Sequence, residues 1–371
     1  MEFSLTEEQR QFQNEVDKAL GRISPLERVR KAAAAPHEFA DDVWAGLVDI
    51  GVPAMLVPEA FGGLGLGLLD AVLVAELFGK HVVPAPLLGA AIIAPLAIAS
   101  FGTAEQKAEY LPRIASGEFR FGAALTQTIS GNHERAGLAS AAGKLNGKST
   151  FAVDHLGAHG FIVADDKGQL HLVDADATGL DVVTLDTVDR TRATAQLVFT
   201  GTAAYPLDAG NAGMGRLADA ARLALAADLL GAGWKMINDA VEYAKIRHQF
   251  GRPIGSFQAV KHMCAEMAAG LEPGRALLWY AGYAYDHGLE DASLCCLHAK
   301  AYMAEAARFS ARTATEVHGG MGITDQLGLQ YWFKRVGWSY QAFGSPERLR
   351  EEAALNQKLI SRERFAVGAA P

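Results

Sequence analysis

The stretch YAKIRHQFGRPIGSFQAVKHM, Tyr243 to Met263, decides the reading of this chain. A helical pattern runs into Arg247, Gln249 and Phe250, turns through Gly251-Arg252-Pro253-Ile254-Gly255, and a second helical pattern begins at once. A bare helical hairpin needs the glycines and the proline. It does not need a guanidinium, an amide and a phenyl ring in line before them.

A second segment, EVHGGMGIT from Glu316 to Thr324, closes a later helical pattern with Gly319 and Gly320. Taken singly, each segment has a plain structural explanation: a Gly-Gly ends a helix, and Arg247 complements a helix dipole. Together they describe a split anion site. A guanidinium offers two parallel donors to a phosphate. Gln249 adds a donor or an acceptor, Phe250 covers a flat ring, and the glycines leave backbone N–H groups unobstructed. A dinucleotide with a pyrophosphate and an adenine uses all four.

Outward from these segments, the chain changes texture twice, which places three domains at 1–119, 120–208 and 209–371. In the first, Thr6 with Gln9 forms a capping-box signature. DDVWAGLVDIG has helical apolar spacing with a glycine stop, and PEAFGGLGLGLLDAVLVAELFG is a glycine-rich loop leading into an apolar helix. The middle region consists of short apolar runs separated by Gly, Asp and Asn, which predicts a small antiparallel barrel or sandwich. From about residue 212 the pattern is helical again. The segment 216–250 predicts one helix of roughly 50 Å, apolar nearly all round in its middle, and further helices are predicted at 256–286, 290–317 and 346–364. The fold class is therefore α+β: a helical domain, a small β-domain and a four-helix bundle.

Composition narrows the function. The 371 residues carry a net charge of −8 and no Lys/Arg-rich run, against nucleic-acid binding. Cys264, Cys295 and Cys296 have neither metal-ligand spacing nor a disulfide count, and they read as small apolar groups in a reducing cytoplasm. The acidic start MEFSLTEEQRQF has no apolar signal region. PLLGAAIIAPLAIASFG is interrupted by Pro95 and falls short of the roughly 20 residues of a membrane span, so it reads as a buried helix.

RHQFGRPIGSFQAVKHMCAEM and EVHGGMGITDQLGLQYWFKRV resemble two signature segments of the acyl-CoA dehydrogenase family. PEAFGGLGLGLLDAVLVAELFG and the helix–sheet–helix order resemble it too, so the likeness spans essentially the whole chain. The resemblance implies FAD, usually a tetramer, α,β-dehydrogenation of an acyl-CoA thioester, and electron-transfer flavoprotein as acceptor. It further implies that Arg247, Gln249, Phe250, Glu316, Gly319 and Gly320 reach across a dimer interface to a neighbour's FAD. The chemistry needs a carboxylate to remove the proton alpha to the thioester carbonyl and donors to hold the carbonyl oxygen as charge builds.

The same comparison exposes departures. The family's base precedes a Gly-Thr or Gly-Ser near the C-terminus; in SYQAFGSPERL that position is Phe343. Some members carry the base before an Arg-Leu pair on the first bundle helix; in DAARLALAADLLG that position is Ala221. Asp228, two turns beyond Ala221 and roughly 10.5 Å along the axis, is a remote substitute, and Glu347 reads as a first-turn residue of a helix opened by Ser345 and Pro346. In the β-domain, ALTQTISGNHE keeps Thr126 of a flavin-contacting segment and loses the rest, and GKSTFAVDH has Phe151 and Val153 where the family has Trp-x-Thr or Trp-x-Ser.

The losses fall on elements that would hold the chain's own flavin and move its own proton, while the elements reaching into a neighbour's site are kept. The chain therefore resembles the base-lacking subunit of the heterotetrameric, steroid side-chain type of acyl-CoA dehydrogenase, paired with a homologous catalytic subunit. Two alternatives stand beside this: a self-sufficient homotetramer with a relocated base, and a non-enzymatic scaffold of the same fold.

Overall fold

The computed structural model describes residues 4–125 and 137–360. Helix α1 (Glu7–Ile23) opens on the capping box read from sequence: Gln9 N donates to Thr6 Oγ1 and Thr6 N to Gln9 Oε1, both at 3.1 Å. Helices α2 (Leu26–Ala34), α3 (Asp41–Asp49) and α4 (Leu68–His81) follow. The apolar run at 86–102 forms a wholly buried π-helical turn, Leu87–Ile93, that passes into α5 (Ala94–Phe101), with Pro95 in the first α-helical turn, where a missing N–H is tolerated. Helix α6 (Ala104–Ala115) ends this region with a second capping box, Thr103 with Gln106.

The central strands are β1 (Phe121–Ala124), β2 (Gly137–Ala141), β3 (Lys144–Val153), β4 (Gly160–Ala164), β5 (Leu170–Asp174), β6 (Leu180–Leu185), β7 (Thr194–Ala203) and β8 (Tyr205–Pro206). They form one sheet in the order β6-β7-β3-β1-β4-β5-β8, with β2 paired to β3. The sheet is not antiparallel throughout as the strand punctuation predicts. β4 lies on the side of β1 away from β3 and pairs with it in parallel, Ala123 opposite Ile162. The strand pattern carries no signal for that crossover, because alternation reports burial and not strand direction. Phe121, Ala123, Ile162 and Leu172 join the core shared with the helices, whereas Ala124, Phe161, Val163, Leu197 and Phe199 form a separate apolar cluster on the sheet's other face.

Helix α7 (Gly210–Ile246) has 37 residues and is buried through its middle, followed by α8 (Gln258–Asp286) and α9 (Ala292–His318). The structure then departs from expectation. A helix α10 (Leu329–Gln341) that the sequence reading passed over packs against α7 and α9, and α11 (Pro346–Asn356) is shorter than predicted. Helix α4 crosses α7 at backbone contact: a Cβ on Gly79 would overlap the Asp228 carbonyl, and one on Gly231 the Glu76 carbonyl. Cys296 is buried, Cys264 and Cys295 are half-buried, and all three are free thiols. Among the described residues no helix is long and apolar enough to cross a membrane.

Candidate functional site

The chain leaving α7 forms a tight hairpin, β9 (His248–Gln249) against β10 (Arg252–Pro253), with Gln249 opposite Arg252. Its tip is Phe250-Gly251, both at positive φ (52° and 76°), as a two-residue hairpin of the primed type requires. Glycine meets that demand freely; phenylalanine pays about 1–2 kcal/mol for it. Phe250 is nevertheless 92 % exposed, so neither backbone preference nor burial within this chain accounts for a phenyl ring there. The guanidinium of Arg252 stacks over Phe257 at 4.1 Å, and Phe250 meets the same ring edge-on at 6.1 Å. Arg247, His248 and Gln249 are all exposed.

Helix α9 stops at His318, where Gly319 takes φ 58° and ψ −141°. A Cβ on Gly319 or Gly320 would meet nothing within 4 Å. Conformation explains the first glycine, but no neighbour among the described residues demands the second. Glu316, Gly319 and Gly320 are exposed. The His318 ring lies 4.7 Å from that of Tyr243 near the end of α7, so the two signature turns stand side by side at one end of the bundle. Exposed Ile246 and Ile323 flank them.

Both positions where the family resemblance implies a base, Phe343 and Ala221, lie deep inside. Phe343 is 1 % exposed and adopts φ 58°, packing its ring into the main core, and Ala221 is fully buried. The Phe343 carbonyl accepts from Arg222 Nε at 3.2 Å. Asp228 is no free carboxylate. It accepts from Arg335 Nε (3.1 Å) and Ser339 Oγ (3.3 Å) and pairs with Arg192 at 2.9 Å and the Arg335 fork at 3.0 Å. Burial pushes its carboxyl up, but the Arg335 and Arg192 guanidiniums outweigh this and hold it below its ordinary value. Glu347 lies in the first turn of α11, where its own backbone N–H and the Ser345 hydroxyl lower its pKa. Phe151 is exposed at φ 58° and Val153 is buried; Thr126 lies outside the described residues.

With this geometry in place, comparison with known proteins settles the lineage. The acyl-CoA dehydrogenase N-terminal domain matches residues 6–118 and the C-terminal domain residues 210–356. The chain belongs to the acyl-CoA dehydrogenase family. It is 31 % identical over 354 residues to acyl-CoA dehydrogenase IpdE2 of Mycolicibacterium smegmatis, covering 93 % of this chain and 98 % of that protein. Among solved structures it resembles the Tcur3481–Tcur3483 steroid ACAD, with a TM-score of 0.87 at 29 % identity over 95 % of this chain and 98 % of the other. It also resembles the ChsE4–ChsE5 complex from Mycobacterium tuberculosis, with a TM-score of 0.88 at 25 % identity over 97 % and 100 %.

Within this acyl-CoA dehydrogenase fold the structure adds groups that sequence reasoning missed. Arg222 grips Glu352 with both nitrogens (3.0 and 2.7 Å) and contacts Asp219 at 3.1 Å. All three line a cleft of about 450 Å³ with Ser293, Arg348 and Glu351. Burial raises the Asp219 carboxyl to about 6, against the pull of Arg222. The signal was present as an Asp three residues before an Arg on one helix face; Glu352, 130 positions away, carried none. Lys300, fully buried, donates to the carbonyl oxygens of Ser339 (2.7 Å) and Tyr340 (3.4 Å) at the end of α10. Burial, with the like charge of Arg222, lowers its pKa to about 7.

Proposed function

We propose that this chain is the base-lacking subunit of a heteromeric, FAD-dependent acyl-CoA dehydrogenase that desaturates an acyl-CoA thioester between its α and β carbons in the cytoplasm. Arg247, Gln249, Phe250, Glu316, Gly319 and Gly320 clasp a FAD held chiefly by a homologous catalytic subunit. Thr126 is the one retained residue of the chain's own flavin-contacting segment. The bound FAD supplies the oxidant, and electron-transfer flavoprotein carries the electrons away. Arg247 presents its planar donors to the pyrophosphate, the exposed Phe250 ring covers an aromatic face, and Gly320 leaves room for close approach. The partner's carboxylate removes the α proton. The Tcur3481–Tcur3483 steroid ACAD supports a bulky acyl group, and it and the ChsE4–ChsE5 complex support a two-chain assembly.

The observation that carries this reading is Phe343: an apolar ring, sealed in the core, occupies the position that would need to exchange a proton. Co-expression with a homologous catalytic chain should give a heteromer with fewer flavins than subunits and full turnover, whereas this chain alone should be colourless and inactive. An active, yellow oligomer of this chain alone rejects the proposal.

One observation favours a second reading, a relocated base. Asp219 combines a carboxyl poised near pH 6 with an open cleft beside Arg222, the combination a general base needs. Turnover by this chain alone that disappears in Asp219→Asn would establish it.

A further inference from the structure

We infer that the cleft between α2, the β6–β7 connection and the start of α10 binds a phosphate group. It measures about 450 Å³ and is lined by Arg30, Arg190 and Lys334, with Tyr331, Asp189 and Asp325. Three cations converge there in a chain whose net charge is −8. Asp189 and Asp325 offset part of that charge and leave the lining net positive.

The hydrogen bonding shows which groups remain available. Arg30 is fixed by one nitrogen, Nη2, which donates to the carbonyls of Asp325 (2.6 Å) and Gln326 (2.9 Å). Its Nε is buried 3.9 Å from Asp325 Oδ2, so Arg30 brings charge to the cleft and not a free Nε donor. Lys334 Nζ donates to Gln330 Oε1 at 2.8 Å; an ammonium has three hydrogens to give. Arg190 is exposed, and among the described residues it has neither a hydrogen bond nor an ion pair.

The two carboxylates are each held by a hydrogen bond through one oxygen. Asp189 Oδ1 takes the Thr191 N–H (2.9 Å) and hydroxyl (2.6 Å), with Arg192 3.8 Å from the other oxygen. Asp325 takes the Gln330 amide at 2.6 Å and stands 3.9 Å from Arg30. Asp189 Oδ2 also lacks a hydrogen-bond partner among the described residues, so the surplus is one of charge: three cations against two carboxylates, with the exposed Arg190 fork and two Lys334 ammonium hydrogens to give. A phosphate dianion satisfies that imbalance, and guanidinium forks match its oxygens. The volume exceeds that of inorganic phosphate alone and leaves space for the organic part of a phosphate monoester.

The test is isothermal titration of the full-length protein with inorganic phosphate and with ribose 5-phosphate, at ionic strength held constant with sodium chloride. A single saturable site is expected, weakened about tenfold or more in the Arg190→Ala/Lys334→Ala double variant, whose melting temperature without phosphate stays that of the parent. Tighter binding of the sugar phosphate assigns the monoester; equal affinities assign the free anion. No saturable heat with either probe, or unchanged affinity in the double variant, overturns the inference. Flavin content is not part of the readout, so the result is independent of the proposed function.

Discussion

Lys300 Nζ donates to the Ser339 carbonyl at 2.7 Å from a position without solvent access. The contact ties α9 to the end of α10, four residues before the Phe343-Gly344 turn. With a folded-state pKa of about 7 against the ordinary 10.5, the amine costs stability fully below pH 7, where both folded and unfolded chains carry the proton. As pH rises from 7 toward 10.5 the folded chain releases it while the unfolded chain keeps it, so the cost is relieved. We therefore predict that the stability of the parent relative to Lys300→Met rises by about 2–3 kcal/mol between pH 6 and 9. Urea unfolding of both proteins at the two pH values measures this, and a pH-independent difference contradicts it.

The crossing of α4 and α7 yields a steric prediction. Gly79 and Gly231 each face a carbonyl oxygen of the opposite helix too closely to admit a methyl group. Gly231→Ala should cost about 3 kcal/mol or more despite its better helix propensity. Thermal unfolding decides the sign, and a rise in Tm would show that propensity outweighs the overlap.

For Asp228 the prediction concerns charge. Asp228→Ala would leave Arg192 and Arg335 buried without their shared carboxylate, at a cost of about 3–5 kcal/mol. Because the folded pKa lies below the ordinary 3.8, this contribution is complete above that value and is lost as pH falls through the folded pKa. Acid unfolding should therefore separate parent from variant at neutral pH and bring them together in strong acid. A neutral-pH difference under 1 kcal/mol would mean that the two arginines find other partners.

Phe250 separates stability from function. Phe250→Gly removes a strained, exposed ring, so this subunit alone should melt at the same temperature or slightly higher, by up to about 1 kcal/mol of relief. If the proposed heteromer forms, the variant heteromer should at the same time retain less FAD. Flavin absorbance after gel filtration is the measurement, and undiminished flavin would remove Phe250 from the clasp.

The break after α7 and the Gly-Gly stop were legible in sequence from Gly251, Pro253, Gly319 and Gly320. The helix, however, ends at Ile246 rather than at residue 250, and the hairpin with Phe250 at positive φ was not legible, because a phenylalanine carries no signal for a glycine conformation. The buried middle of α7 was legible because an all-round apolar helix has to be covered. Helix α10 was overlooked although Trp332, Arg335, Val336, Ser339 and Tyr340 share one buried face; a polar pair on that face broke the apolar pattern. The Arg335–Asp228–Arg192 cluster and the Arg222–Glu352 pair could not be read at all, because each joins residues far apart in the chain through tertiary contact alone.

The Tyr243–His318 ring contact, between residues 75 positions apart in the chain, couples the two loops that follow them. On the proposed function, a neighbour that loosened its hold on one loop would disturb the other, and release of the cofactor would become an all-or-none event. Tyr243→Ala should accelerate amide exchange in the 247–251 and 318–322 segments in parallel; acceleration in one alone would show that they act separately.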